Sequence, residues 1–314
     1  MRAATADTSS ATLRTLLRSL GQIVLQPNAF TGACLLAAWL LADPRLACAA
    51  LMGAISANVS AILADDRGHP TREDEIRSGL HGFNGALAGL AAFSFIADPA
   101  TAAAVAILAA TATAWLLNPM SRWLRVRGMG YFSSPCLIVT WLWLPMLSNN
   151  LAPTGAGQIH VAQAANAAHA ALTSDALQRG GALLAGFAQT GFASGALPGL
   201  LVLIGIAVAS RRHAFAAVVG AALANALHLL LHASPGSFDA GLLGFNGALT
   251  ALALIDVGVV PMLGGVVISV VLQAAATQLG WPALTAPFVI ATWSVQWLGR
   301  RIALPPGPAK PGVR

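Results

Sequence analysis

Apolar positions in this chain gather into ten blocks, at about residues 31–43, 45–64, 82–97, 101–118 and 132–147, then 195–210, 213–231, 244–262, 263–279 and 283–299. Blocks so long and so poor in charge predict an all-α membrane protein with ten transmembrane helices. Several fall short of the roughly 20 residues a simple spanning helix needs, which predicts tilted, broken or half-membrane helices held inside a bundle. Thr31–Asp43 is the clearest short block. Polar stretches divide the chain into a cytoplasmic N-terminal segment at 1–20, a first pore repeat at 21–147, an extracellular linker at 148–178, a second pore repeat at 179–300 and a cytoplasmic tail at 301–314. The linker is rich in Ala, Asn and Gln, lacks Lys and Arg between Ser148 and Gln178, and predicts a short surface helix near Val161–Leu172. Met1–Leu20 has no long apolar core and does not read as a signal peptide.

Composition agrees with that pattern: 57% of residues are hydrophobic and 9% charged, against roughly 25% charged in an ordinary soluble domain. The net charge of +6 would admit nucleic acid as a partner, but the basic residues sit at scattered loop ends, read here as lacking interleaved aromatics, so no nucleic acid is expected. They read instead as topology signals. With both termini in the cytoplasm and ten spans, all but two of the 17 Lys and Arg residues face inward, the exceptions being Arg45 and Arg179.

Two halves of the chain repeat one another. Leu80-His81-Gly82-Phe83-Asn84-Gly85-Ala86-Leu87 matches Leu242-Leu243-Gly244-Phe245-Asn246-Gly247-Ala248-Leu249, sharing GFNGAL. Gln22 stands ten positions before Gly32 as Gln189 stands before Gly199, and Ser133-Ser134-Pro135 with Thr140 matches Thr285-Ala286-Pro287 with Thr292. Five spans per copy is an odd number, so the second copy enters the membrane from the opposite side, giving two inverted five-helix repeats.

The repeated residues suit a pore. Gly82 and Gly244 permit tight backbone geometry, and Asn84 and Asn246 are placed to cap the long apolar helices that follow them. Phe83 with Leu87, and Phe245 with Leu249, are four apart and share a helix face, so two copies would wall a slot fit for a flat solute. A single motif of this kind reads more readily as bundle core; its inverted duplication shifts the reading toward a pore. Gln22, Gln189, Ser133 and Thr285 add oxygens that replace water around an amide solute, as carbonyl rings do around ions. Ser133 and Thr285 stand two before Pro135 and Pro287, at expected helix starts. Thr140 and Thr292 fit either the pore or a bond to the preceding turn's carbonyl.

Other chemistry is missing. Every Asp and Glu falls in a loop, a tail or toward a span end, Asp256 being the deepest, which disfavours proton or sodium coupling. Cys34, Cys48 and Cys136 lie in apolar stretches and read as small hydrophobes. His228 and His232, four apart, lack further ligands for a metal. His81 has Leu243 as its counterpart and is a candidate for tuning one pore mouth. No cofactor, metal or catalytic constellation is expected, so the chain is not read as an enzyme.

Gly21-Gln22 with the Asn28–Gly32 turn, the paired GFNGAL strings and Pro282-Ala283-Leu284-Thr285-Ala286-Pro287-Phe288 resemble the urea transporter family, over about residues 20–300. The resemblance implies a bacterial urea channel in the inner membrane: a homotrimer with one pore per protomer, two tilted half-membrane helices, and passive diffusion of urea. Its filter would comprise Phe83, Leu87, Phe245 and Leu249 as walls, Gln22 and Gln189 at the ends, Ser133 and Thr285 near the centre. Ile23 and Leu25 would pair with Thr190 and Phe192 beside the glutamines. Two departures stand out: Ser133 replaces the family's threonine, and Thr190 is more polar than the aliphatic residue expected there. The alternative solutes are short amides, ammonia or water.

Overall fold

A computed structural model describes residues 2–64, 78–150 and 175–302. The helix expected near Val161–Leu172 lies outside the described residues, as do most of the linker and residues 303–314 of the tail.

The described chain is helical. The first half contains α1 (Arg2–Gly21), α2 (Ala29–Ala42), α3 (Pro44–Leu63), α4 (Gly82–Phe95), α5 (Pro99–Val126) and α6 (Ser134–Trp143). The second contains α7 (Asp175–Gln189), α8 (Ala196–Ala209), α9 (Arg211–Leu230), the short α10 (Pro235–Asp239), α11 (Phe245–Leu254), α12 (Val259–Gln278) and α13 (Ala286–Ile302). Four helices, α3, α5, α9 and α12, are long and apolar enough to cross a membrane unaided. A fifth crossing is available if Ala11–Val24 and α2, bent by 77° across Leu25–Asn28, act together. Shorter apolar helices include α4, α8 and α11.

Local chemistry places the breaks. Asp43 ends α2 and starts α3, its carboxylate accepting from Arg45 N at 2.9 Å just ahead of Pro44 at the first helical position. Ser210 does the same between α8 and α9, accepting from His213 N at 3.3 Å. Asp98 starts α5 by accepting from Thr101 Oγ1 at 2.6 Å and Thr101 N at 2.8 Å. Those bonds, the hydroxyl's foremost, hold the Asp98 carboxyl below its usual range.

Two helix boundaries differ from the sequence reading. Residues 2–21, read as a segment without a span, form helix α1, whose end buries Ser19 and Leu20 completely against the bundle. The 244–262 block is not one helix: it divides at Ile255–Gly258, where Gly258 adopts φ 139° and Pro261 follows within the first turn of α12.

Glycines let the longer and shorter helices pack backbone to backbone. A Cβ on Gly53 of α3 would run into Gly85 O of α4, and a Cβ on Gly85 would run into Gly53 O. Gly220 of α9 and Gly247 of α11 make the same mutual contact. Close approach through small residues is how helices gain contact where lipid supplies no hydrophobic drive. It seats the two GFNG strings deep in the bundle, with Gly82 to Ala92 all buried.

Candidate functional site

The site is built on matched irregularities in the backbone. Among the described residues, five other than glycine adopt positive φ, and four of them form two pairs: Leu25 (58°) with Phe192 (61°), and Phe132 (45°) with Leu284 (48°). Bulky residues in this region are strained and persist only where the surroundings over-determine them. Leu25 and Phe192 close the turns after the two glutamines, their N–H groups donating to Gln22 O at 2.9 Å and Gln189 O at 3.2 Å. Gln22 Nε2 donates to Ser78 O at 3.5 Å and Gln189 Nε2 to Ala240 O at 3.1 Å. Both amide groups are thereby oriented by their nitrogens.

Phe132 and Leu284 are clamped by the two asparagines. Asn84 Nδ2 donates to Phe132 O at 3.1 Å while its Oδ1 accepts from Cys136 N at 3.1 Å. Asn246 Nδ2 donates to Leu284 O at 3.1 Å and its Oδ1 accepts from Phe288 N at 3.4 Å. Neither asparagine caps its own helix, as the sequence reading had it. Both lie inside α4 and α11, which are short, and reach across to satisfy the first free amides of α6 and α13. Pro135 and Pro287 occupy the opening turns of those helices, where a missing N–H costs nothing.

The clamp sets the residue that follows each strained position. Ser133 Oγ and Thr285 Oγ1 meet at 2.8 Å, one hydroxyl donating to the other. Reciprocal indole bonds flank the pair, with Trp141 Nε1 donating to Pro282 O at 3.0 Å and Trp293 Nε1 to Gly130 O at 2.6 Å.

On the Gln189 side of this meeting point lies a cavity of about 230 Å³. It brings together Leu87, Gln189, Thr190, Phe192, Phe245 and Thr285 among the sequence-derived candidates. Gln22, Ile23, Leu25, Phe83, Ser133 and Leu249 are not in its wall. Leu249 is buried on the equivalent face of α11, Ile23 is buried in the turn after Gln22, and Phe83 stacks on Tyr131 with centroids 6.0 Å apart. Gly82, Asn84, Gly244 and Asn246 are buried supports.

The sequence reading missed several wall residues. Ala91, Ser94 and Phe95 continue the Leu87 face of α4 at helical spacing, which was the signal available for them. Cys136, read as a small hydrophobe, also lines the cavity with its Sγ 3.8 Å from Thr140 Oγ1. Gln273 went unnoticed, yet its Oε1 accepts from Asn246 Nδ2 at 2.9 Å and its Nε2 donates to Leu242 O at 2.7 Å.

Thr190 in the cavity wall spends its hydroxyl on the preceding turn, donating to Phe187 O at 2.7 Å. Thr250, Thr277 and Ser60 each donate to the carbonyl four residues back. Thr140 does not, and Thr292 Oγ1 is buried with no partner among the described residues. The bond to the preceding turn is therefore absent from both.

Asp43 and Asp239 are half-buried and Asp98 and Asp256 exposed. Asp256, the deepest in sequence, is exposed between α11 and α12, paired with Arg212 at 3.1 Å and His213 at 3.3 Å. His228 is held by Ala224 O at 2.9 Å.

The model of the family described as Urea transporter matches residues 13–300. No individual curated protein matches the chain. Nearly the whole of this all-helical, multi-pass membrane protein is covered by a family of transporters, not enzymes, and the chain belongs to the urea transporter family, with urea as its substrate.

Proposed function

We propose that the chain is a passive, channel-like pathway for urea, with the solute passing between the two halves and no ion or proton moving with it. The observation that carries this reading is the meeting of Ser133 and Thr285 at 2.8 Å beside a cavity walled by Leu87, Phe192 and Phe245. Planar apolar walls with spaced acceptor oxygens match a flat molecule whose N–H groups must be satisfied after losing water. Gln189 Oε1, Thr140 and the Ser133/Thr285 pair supply acceptors toward the centre; Thr292 and Gln22 continue the series beyond it. Leu25, Ile23, Phe83 and Leu249 form the opposite approach.

In this reading the chain makes ten passes, the copies at 21–147 and 179–300 being inverted about an axis in the membrane plane. The reciprocal bonds of Trp141 and Trp293 are the pattern such an axis requires. Both termini lie in the cytoplasm, the membrane is the inner membrane, and three copies assemble with one pore each. That none of Asp43, Asp98, Asp239 and Asp256 is buried supports uncoupled passage, because coupling draws on ionisable groups inside the membrane.

Stopped-flow flux into proteoliposomes tests it. Fast urea entry without any ion gradient is expected, with thiourea, ammonia and water compared in the same vesicles. Entry only under a proton or sodium gradient would overturn the channel, and preference for another solute would reassign the filter.

A further inference from the structure

The ends of α5 and α13 form a basic corner. Arg122, Arg125 and Arg127 close one helix, and Arg300 and Arg301 close the other. The sequence reading treated these arginines as scattered and free of aromatics. In the structure they converge: the Arg300 guanidinium occupies the space a side chain on Gly128 would need, and Gly130 N donates to Gln296 Oε1 at 3.3 Å. Two exposed indoles are interleaved with them. Arg127 lies over Trp123 with 3.9 Å to the ring centroid, and Arg301 over Trp297 with 5.1 Å.

Four of the corner's five arginines are without an acidic partner among the described residues. Arg122, Arg127, Arg300 and Arg301 are exposed and make no ion pair among the described residues. No Asp or Glu occurs anywhere in residues 99–150 or 257–302. Residues 144–150 and 279–285, which follow the matching helices α6 and α12, carry no charge.

Its height in the membrane follows from length. At about 1.5 Å per residue, the 28 residues of α5 reach about 42 Å, against a hydrocarbon core of about 30 Å. The last turns of α5 therefore emerge among headgroups, the level at which indoles settle. A guanidinium stacked on an indole is orientationally fixed, and Arg127 spends one N–H on Trp123 O at 3.0 Å, leaving the rest for a phosphate oxygen pair.

We propose that this corner is a binding site for the headgroup phosphate of an anionic phospholipid. It takes a lipid already in the bilayer, whose chains lie along the exposed apolar flank of α5 at Leu108 and Trp115. The assignment depends on the chain being a membrane protein and not on which solute it carries.

Full-length protein in nanodiscs of phosphatidylcholine, with or without phosphatidylglycerol, tests the site by native mass spectrometry and thermal melting. Wild type is expected to retain phosphatidylglycerol several-fold over phosphatidylcholine and to melt a few degrees higher in its presence. R300Q/R301Q and, on the other helix, R122Q/R127Q should each abolish that preference, while R45Q, elsewhere in the chain, keeps it. Unchanged preference in both double variants would overturn the proposal. So would equal loss in R45Q, or full competition by inorganic phosphate, which would make the ligand a free anion.

Discussion

Thr285 and Ser133 are small hydroxyls whose importance lies in where their oxygens stand. Replacing Thr285 by Val keeps volume and removes the oxygen, and the lost hydrogen bond is worth about 1 kcal/mol. Thr285→Val is expected to slow urea flux about five- to tenfold in proteoliposomes, with melting shifted by only a few degrees. Phe245→Ala removes a wall and should depress flux in folded protein as well. Normal flux in both variants would move the filter elsewhere. At position 133, Ser133→Thr restores the residue expected from the family, and flux at or above wild type is the expected result. These residue types were legible because they recur at matched positions. That Thr292 lacks the bond to its preceding turn was not, since either rotamer suits a helical threonine.

Among the elements, the starts of α6 and α13 are the parts most dependent on distant support. Asn246→Ala strands Leu284 O, Phe288 N and Gln273 Oε1 together, and each buried group left unpaired costs about 1–3 kcal/mol. Asn84→Ala strands two groups. Denaturation in detergent should show Asn246→Ala as the more destabilised variant, and an equal or reversed order would rule the clamp out as the source. Gly53→Ala and Gly220→Ala force apart helices whose backbones touch, with an expected cost of about 1–3 kcal/mol or more. The Asp98 cap adds a pH dependence. Because its carboxyl titrates below the usual range when folded, its stabilisation is complete above the ordinary Asp pKa. It is lost as pH falls through the lowered value. Melting temperatures of wild type and Asp98→Ala should differ at neutral pH and converge in acid.

At the scale of the molecule, the matched strings make the two approaches of the proposed channel comparable and substitution makes them unequal. Cys136 and Phe288 follow Ser133 and Thr285 by the same three residues, but Phe288 packs edge-on against Phe132 with centroids 5.3 Å apart. Cys136 instead leaves room and lines the 230 Å³ cavity. Likewise Phe192 stands on the Gln189 side where Leu25 stands on the Gln22 side. Cys136→Phe is expected to fill the cavity and cut urea flux severely without unfolding, read by flux together with the protein's elution profile. Undiminished flux would place the pathway outside this cavity.

The class of the protein was determined by sequence, because transfer of apolar side chains from water to lipid depends on composition and block length alone. The repeat was legible for a similar reason: GFNGAL and the two glutamines recur as strings. Tertiary structure decided the rest. Asn84 and Asn246 look like caps of their own helices, yet their partners lie 48 and 38 residues away at Phe132 and Leu284. Local spacing carries no information on such bonds. Gln273 and Arg300 are ordinary polar residues until packing brings them to Asn246 and Gly128. Positive φ at four bulky residues runs against their local preference, so only the contacts that over-determine it could reveal it.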